Sequence, residues 1–233
     1  MIRAISSVAA LLFGTAILLT GQGLQGTLLP VRATLESFST LSIGVMGTTY
    51  FLGFTYGCWK GSVLIRGVGH ARVFAAMTAI ASATPLLHGL LVDPWVWSLL
   101  RFVSGFCFAV LYIVIESWLN ERSTNENRGS IFSAYILINM TVLGVGQQML
   151  LFYDPIYLNL FALTSVLVSL AAVPVALSKS ENPIPWECKA SGEYSAAQSG
   201  ATGGPWWYCR RSPHFLSVWP GPQRCPRPLR SGR

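Results

Sequence analysis

Charge is what this 233-residue sequence has least of. Charged residues make up 11% of it and hydrophobic residues 52%, whereas soluble domains carry about 25% charged residues. That balance excludes an ordinary soluble domain and puts the chain in the membrane class. Acidic residues are scarcer than basic ones, nine against sixteen, for a net charge of +7. The excess calls for no nucleic acid, because its placement reads as loop topology. Cysteine is sparse as well. Cys58, Cys107, Cys188, Cys209 and Cys225 are too scattered for a disulfide framework or a metal-ligand pattern. The sequence has no nucleotide-binding loop, no metal cluster and no nucleophile–base arrangement. No catalytic residue, metal or cofactor is therefore expected, and neither is an enzyme.

Long apolar runs are what the sequence does have. They cover about 4–29, 41–59, 73–91, 95–119, 130–152 and 156–177. Each is close to the ~20 residues that cross a bilayer as a helix. The first run exceeds the about 7–15 apolar residues of a signal peptide, so it reads as a retained helix. The expected fold is all-α: a six-helix transmembrane bundle over residues 1–179. Polar stretches at 31–40, 60–72 and 120–129 read as loops, and the Asp-Pro turns at 93–94 and 154–155 as tight connections.

The loops assign an orientation. Arg3, Lys60, Arg66, Arg72, Arg122, Arg128 and Lys179 fall on one side, and Arg32 alone on the other with Glu36, Asp93 and Asp154. Positive charge marks the cytoplasmic side, so both termini are expected there, in the inner (plasma) membrane. From about residue 181 the composition changes. Eight of the thirteen prolines and seven basic residues lie in this stretch. Residues 180–233 read as a cytoplasmic Pro/Gly/Arg-rich tail without packed structure. A frameshift or truncation after about residue 180 would also produce such a tail.

Two charges interrupt the fourth run, Arg101 near its start and Glu116 near its end. Ionisable residues in hydrocarbon are costly and mark functional sites by default. Fifteen residues separate them, about 22 Å along a helix, so they cannot pair with each other. Arg101 stays charged when buried and needs a carboxylate, carbonyls, water or an anion. Glu116 is either a protonatable coupling group or an interfacial anchor paired with Arg122, Arg66 or Arg72. Gln22, Gln25, Asn139, Gln147 and Gln148 are further polar candidates, either lining a cavity or bonding between helices. Asn139 and Gln147, eight apart, are expected to share a broad face. His88 reads as a hydrogen-bonded or solvated histidine rather than a proton relay.

Six apolar runs, short outer turns and the basic stretch at 60–72 together resemble the N-terminal half of a major facilitator superfamily transporter. Gly61, Arg66 and Gly69 fall near positions of that superfamily's G-x-x-x-D-R-x-G-R-R loop, with His70 and Arg72 at the basic end. Ile65 stands at the Asp position. Arg101-x-x-x-Gly105 resembles the superfamily's helix-four R-x-x-x-G motif, and the VGHAR, ESWLN and NRG segments resemble a bacterial subgroup. The fifth run carries Gly144 to Gln148 in place of the Gly-Pro ending of the antiporter signature. The resemblance covers residues 1–180.

It implies a bilayer-embedded transporter of a small solute, with protons as the coupling ion and 60–72 as a gating loop. It implies a site near the membrane midplane, where Arg101 and the polar candidates surround a polar or anionic solute. It also implies that one bundle needs a second, through self-association or another transporter half. A channel or membrane scaffold is the competing class.

Overall fold

In the computed structural model the described residues are 2–123 and 126–177, and every regular element among them is helical. The tail expected at 180–233 lies outside them. The helices are α1 (Ile2–Leu35), α2 (Thr40–Val68), α3 (His70–Leu90), α4 (Pro94–Arg122), α5 (Arg128–Gln148, continued by a short 3-10 turn to Phe152), α6 (Asn159–Leu170) and α7 (Ala172–Leu177). Four spans are long and apolar enough to cross a membrane: Ala9–Leu35, His70–Leu90, Pro94–Arg122 and Arg128–Phe152. α2 has the length, but glycines, threonines and tyrosines dilute its apolarity.

Three boundaries differ from the sequence expectation. α1 runs through Pro30 to Leu35. Pro30 leaves the Gly26 carbonyl, four residues before it, without its helical N–H donor. The chain then turns at Ser37, whose φ is 57°. Ser39 caps α2, its hydroxyl accepting from the Ser42 N–H at 3.2 Å.

The basic stretch 60–72 is not a loop. α2 continues to Val68, and α3 begins at His70. Gly53, Gly57, Gly61 and Ile65 are buried at intervals of four, one unbroken helical stripe. That stripe outweighs the exposed Lys60 and Arg66 beside its members. Gly69 alone breaks the helix, at φ 96°, a conformation that favours glycine.

The sixth run is not one helix. It starts at Asn159 and breaks at Ala171. Pro174 has no N–H for the Leu170 carbonyl, so the helix cannot continue through it unbroken. α4, by contrast, starts cleanly. The Asp93 carboxylate accepts from the Trp95 and Val96 N–H groups at 2.9 and 3.0 Å, with Pro94 at the first position.

The helices pair in a regular way. α2 lies along α4 and α1 along α5, while α3 packs on α4 and α6, and α6 packs on α1. Exchanging α1-α2-α3 with α4-α5-α6 maps this pattern onto itself. The two triplets enter from opposite ends, so the bundle is an inverted repeat.

Each main pair crosses at reciprocal glycines. Gly53 faces the Phe102 carbonyl while Gly105 faces that of Tyr50. Gly23 faces the Leu143 carbonyl while Gly146 faces that of Thr20. In all four cases the facing carbonyl belongs to the residue three before the partner's glycine. Small residues at such crossings let helix backbones touch.

Two cores fill the bundle. The larger gathers residues such as Leu18, Phe108, Leu111 and Ile115. A smaller one at the Arg32 end gathers Leu24, Leu28, Trp97 and Phe161. Large apolar side chains such as Leu137, Met140 and Leu151 point outward, as a bilayer requires.

Candidate functional site

The close crossing of α2 and α4 positions the site. Because Gly105 has no side chain, the α2 backbone at Tyr50 reaches α4, one turn past Arg101. The Arg101 guanidinium carbon then lies 4.3 Å from the Tyr50 ring centroid. A cation over an aromatic face is attracted by the ring quadrupole, more so away from water. Among the described residues no carboxylate pairs with Arg101, and the ring takes that place.

The Tyr50 hydroxyl continues the arrangement. Gln22 of α1 donates to it from Nε2 at 2.9 Å, and the Tyr112 hydroxyl of α4 donates to Gln22 Oε1 at 3.0 Å. One amide therefore ties α1, α2 and α4 together, with both of its ends used. Tyrosine and glutamine inside an apolar bundle need partners of this kind.

Beside this network lies an open groove of about 600 Å³. Gln22, Tyr50, Phe51, Phe54, Tyr112 and Glu116 line it, with Cys58, Ala109 and Ile113. Such a volume suits a small-molecule site. Glu116 is exposed toward it. The pairing of Glu116 with Arg122, Arg66 or Arg72 is not formed. Among the described residues the ion pair is Arg32–Glu36, at the other end of the bundle. Arg66 donates instead to the Ser62 carbonyl at 3.1 Å, and the Lys60 ammonium sits 4.2 Å over the Trp59 ring.

The remaining candidates scatter. Gln25 is buried away from the groove, its Nε2 without a partner. Asn139 is buried on α5, its Oδ1 likewise unpartnered. Gln147 and Gln148 are exposed, so Asn139 and Gln147 do not share a face. Asn139 is seven residues before Gly146, two helical turns, and both face inward. Gln147 is turned a further ~100°.

In the 60–72 stretch, Gly61 is buried against Val110 and Ile113 of α4, and Arg66 and Arg72 are exposed. The His70 ring lies 6.3 Å from that of Trp118. Ile65, at the superfamily's Asp position, is core, with 6% exposure. His88 is hydrogen-bonded and not solvated: its Nδ1 donates to the Thr84 carbonyl at 2.6 Å, and its ring meets Trp97 edge-on at 5.6 Å.

Tyr50 is the site residue that sequence reasoning missed. Its signal was the glycine stripe of α2, which it precedes by three residues. Tyr112 lies between Arg101 and Glu116 on α4, eleven residues after the first and four before the second.

No family model matches the chain, and neither does any solved structure. Curated relatives do. An uncharacterized MFS-type transporter, YcaD, of Escherichia fergusonii is 27% identical over 172 residues, covering 74% of this chain and 45% of the relative. The protein of the same name from Escherichia coli O45:K1 is 31% identical over 140 residues, covering 60% of this chain and 37% of the relative. The chain thus spans less than half the length of the curated relatives it matches.

Proposed function

From the homology of this multi-pass chain to MFS-type transporters, we propose that it forms one bundle of a secondary transporter for a small solute, working by alternating access with protons as the coupling ion. The observation that carries the reading is the Arg101–Tyr50–Gln22–Tyr112 constellation beside the groove. It is polar, interior and built from three helices, and intramembrane charge of this kind is kept for function. Arg101 supplies fixed positive charge behind the Tyr50 wall of the site. Glu116, at the mouth of the groove, exchanges the coupling proton. Gly61, Arg66, Gly69, His70 and Arg72 form a helical elbow that braces the bundle at its basic end. That end faces the cytoplasm, in keeping with the positive-inside distribution.

A second bundle closes the open side of the groove. It comes from another copy of this chain or from a separate half, and repeat-built transporters place their sites between such units. Residues 1–179 form the membrane unit, and the sharp change of composition near residue 180 marks its boundary.

Reconstitution of the full chain into proteoliposomes tests the proposal. Uptake of a panel of small solutes is measured with and without a pH gradient, alongside cross-linking to read association. Gradient-dependent uptake is expected from associated chains. It is lost in Arg101→Ala while membrane insertion stays normal. Uptake by a solitary chain would overturn the two-bundle view, and wild-type uptake by Arg101→Ala would remove Arg101 from the site.

A further inference from the structure

We propose that the groove binds an amphipathic organic cation, with the Glu116 carboxylate holding the charge and the rings of α2 and α4 holding the apolar body. The inference rests on the transport reading for its purpose, but not for its chemistry.

The groove's charge is the first argument. Among the described residues lining it, Glu116 is the one that carries formal charge. It is exposed on that surface, and no basic side chain among the described residues forms an ion pair with it. Of the basic side chains at this end of the bundle, Arg66 bonds Ser62, Lys60 lies over Trp59 and Arg128 lies 5.8 Å over the Phe132 ring, while Arg72 is exposed, Arg122 is half-buried and neither forms an ion pair with it. The Tyr135 hydroxyl is a neighbour of this carboxylate, but it brings no positive charge; a carboxylate without a counter-charge in a bilayer-embedded surface is costly, and a ligand cation would relieve that cost.

The walls are the second argument. Tyr50, Phe51, Phe54 and Tyr112 bring four rings to the groove. Phe54 and Tyr112 meet edge-to-face at 6.1 Å, and Tyr50 and Phe51 at 5.5 Å. Aromatic faces attract cations, and sites for organic ammonium groups are built from them. A small hydrated ion would gain little from such walls, whereas a cation with an aromatic or alkyl body would fill them.

The position of Arg101 is the third argument. A groove for an anion would present its arginine. Here the guanidinium is covered by the Tyr50 ring, and Arg101 is not among the lining residues. About 22 Å of helix separates it from Glu116, so it does not neutralise the carboxylate.

Two probes of the same shape and opposite charge, tetraphenylphosphonium and tetraphenylborate, test the proposal. Each is titrated by equilibrium dialysis against the full chain in nanodiscs of zwitterionic lipid. Saturable binding of the phosphonium is expected, with the borate weaker. Glu116→Gln should weaken the phosphonium by about tenfold, ~1.4 kcal/mol, and leave the borate unchanged or tighter. Glu116→Asp should retain the phosphonium preference, and Phe54→Leu should weaken both probes. Borate binding to the wild-type chain as tightly as the phosphonium overturns the inference, whatever the variants do. So does a folded Glu116→Gln chain that binds the phosphonium like wild type. The uptake assay reads the transport proposal separately. Phosphonium binding without uptake of any solute upholds the site and defeats the transporter, and uptake without phosphonium binding does the reverse.

Discussion

Arg101 and Tyr50 sit on different helices, yet the guanidinium carbon of one lies 4.3 Å above the ring of the other. The contact has a backbone cause. Gly105, four residues after Arg101, leaves room for the Tyr50 carbonyl. An R-x-x-x-G pattern on α4 thus does two jobs: it supplies the cation, and it admits the aromatic residue that covers it.

The two functions of Tyr50 separate by substitution. Tyr50→Phe keeps the ring beneath Arg101 and loses the hydrogen bond from Gln22. It is expected to cost about 0.5–1.5 kcal/mol. Tyr50→Ala also removes the ring and leaves a cavity, for a further ~2 kcal/mol or more. Thermal unfolding in detergent ranks the two, and equal losses would show that the ring contact contributes nothing.

The crossing glycines differ from the open ones. A methyl group at Gly105 or Gly146 meets the backbone of the facing helix, whereas one at Gly47 meets nothing within 4 Å. Gly105→Ala and Gly146→Ala are each expected to destabilise by about 1–3 kcal/mol. Gly47→Ala should be neutral or stabilising by up to about 1 kcal/mol. The same melting assay decides, and a tolerated Gly105→Ala would contradict the backbone contact.

Two cysteines report on the groove. Cys58 is exposed on its wall, and Cys107 is buried. In a chain with Cys188, Cys209 and Cys225 changed to Ser, a water-soluble maleimide should modify Cys58 and spare Cys107, as read by peptide mass. Groove occupancy by tetraphenylphosphonium should slow the reaction. Labelling of Cys107 in the folded protein would mean that the core is not closed.

Placing at Ile65 the carboxylate of the loop motif that 60–72 resembles should harm this chain. Ile65 lies in the core on the α2 stripe, with 6% exposure, so Ile65→Asp buries a charge without a partner. A loss of ~2 kcal/mol or more is expected, against about 0.5–1.5 for Ile65→Val. An Ile65→Asp chain as stable as wild type would show that 60–68 behaves as the loop its charges suggested.

Much of the architecture could be read from the sequence, because bilayer thickness fixes the length of an apolar run. Arg101 and Gln22, singled out because polar groups are costly in hydrocarbon, lie partly buried between helices, whereas Glu116 is exposed on the groove. What could not be read depends on neighbours. Tyr50 became a site residue only through an approach of two helices that neither run specifies alone. The 60–68 segment looked like a loop because Lys60 and Arg66 weigh more by composition than the buried Gly61 and Ile65 do. Gln147 looked equivalent to Asn139 by spacing, but Gly146 had already fixed which side of α5 meets α1.

The reciprocal glycine crossings have a mechanical consequence. With carbonyls seated where side chains would be, α2 cannot slide along α4, nor α1 along α5, without driving backbone into a Cβ. Each pair is therefore a stiff ribbon. Contacts between the ribbons are sparse by comparison, and the α3–α6 packing and the Gln22 amide carry the connection. Besides the shared core, the glutamine side chain bonded to tyrosines on the other ribbon is a fastener that a shear between them would have to release.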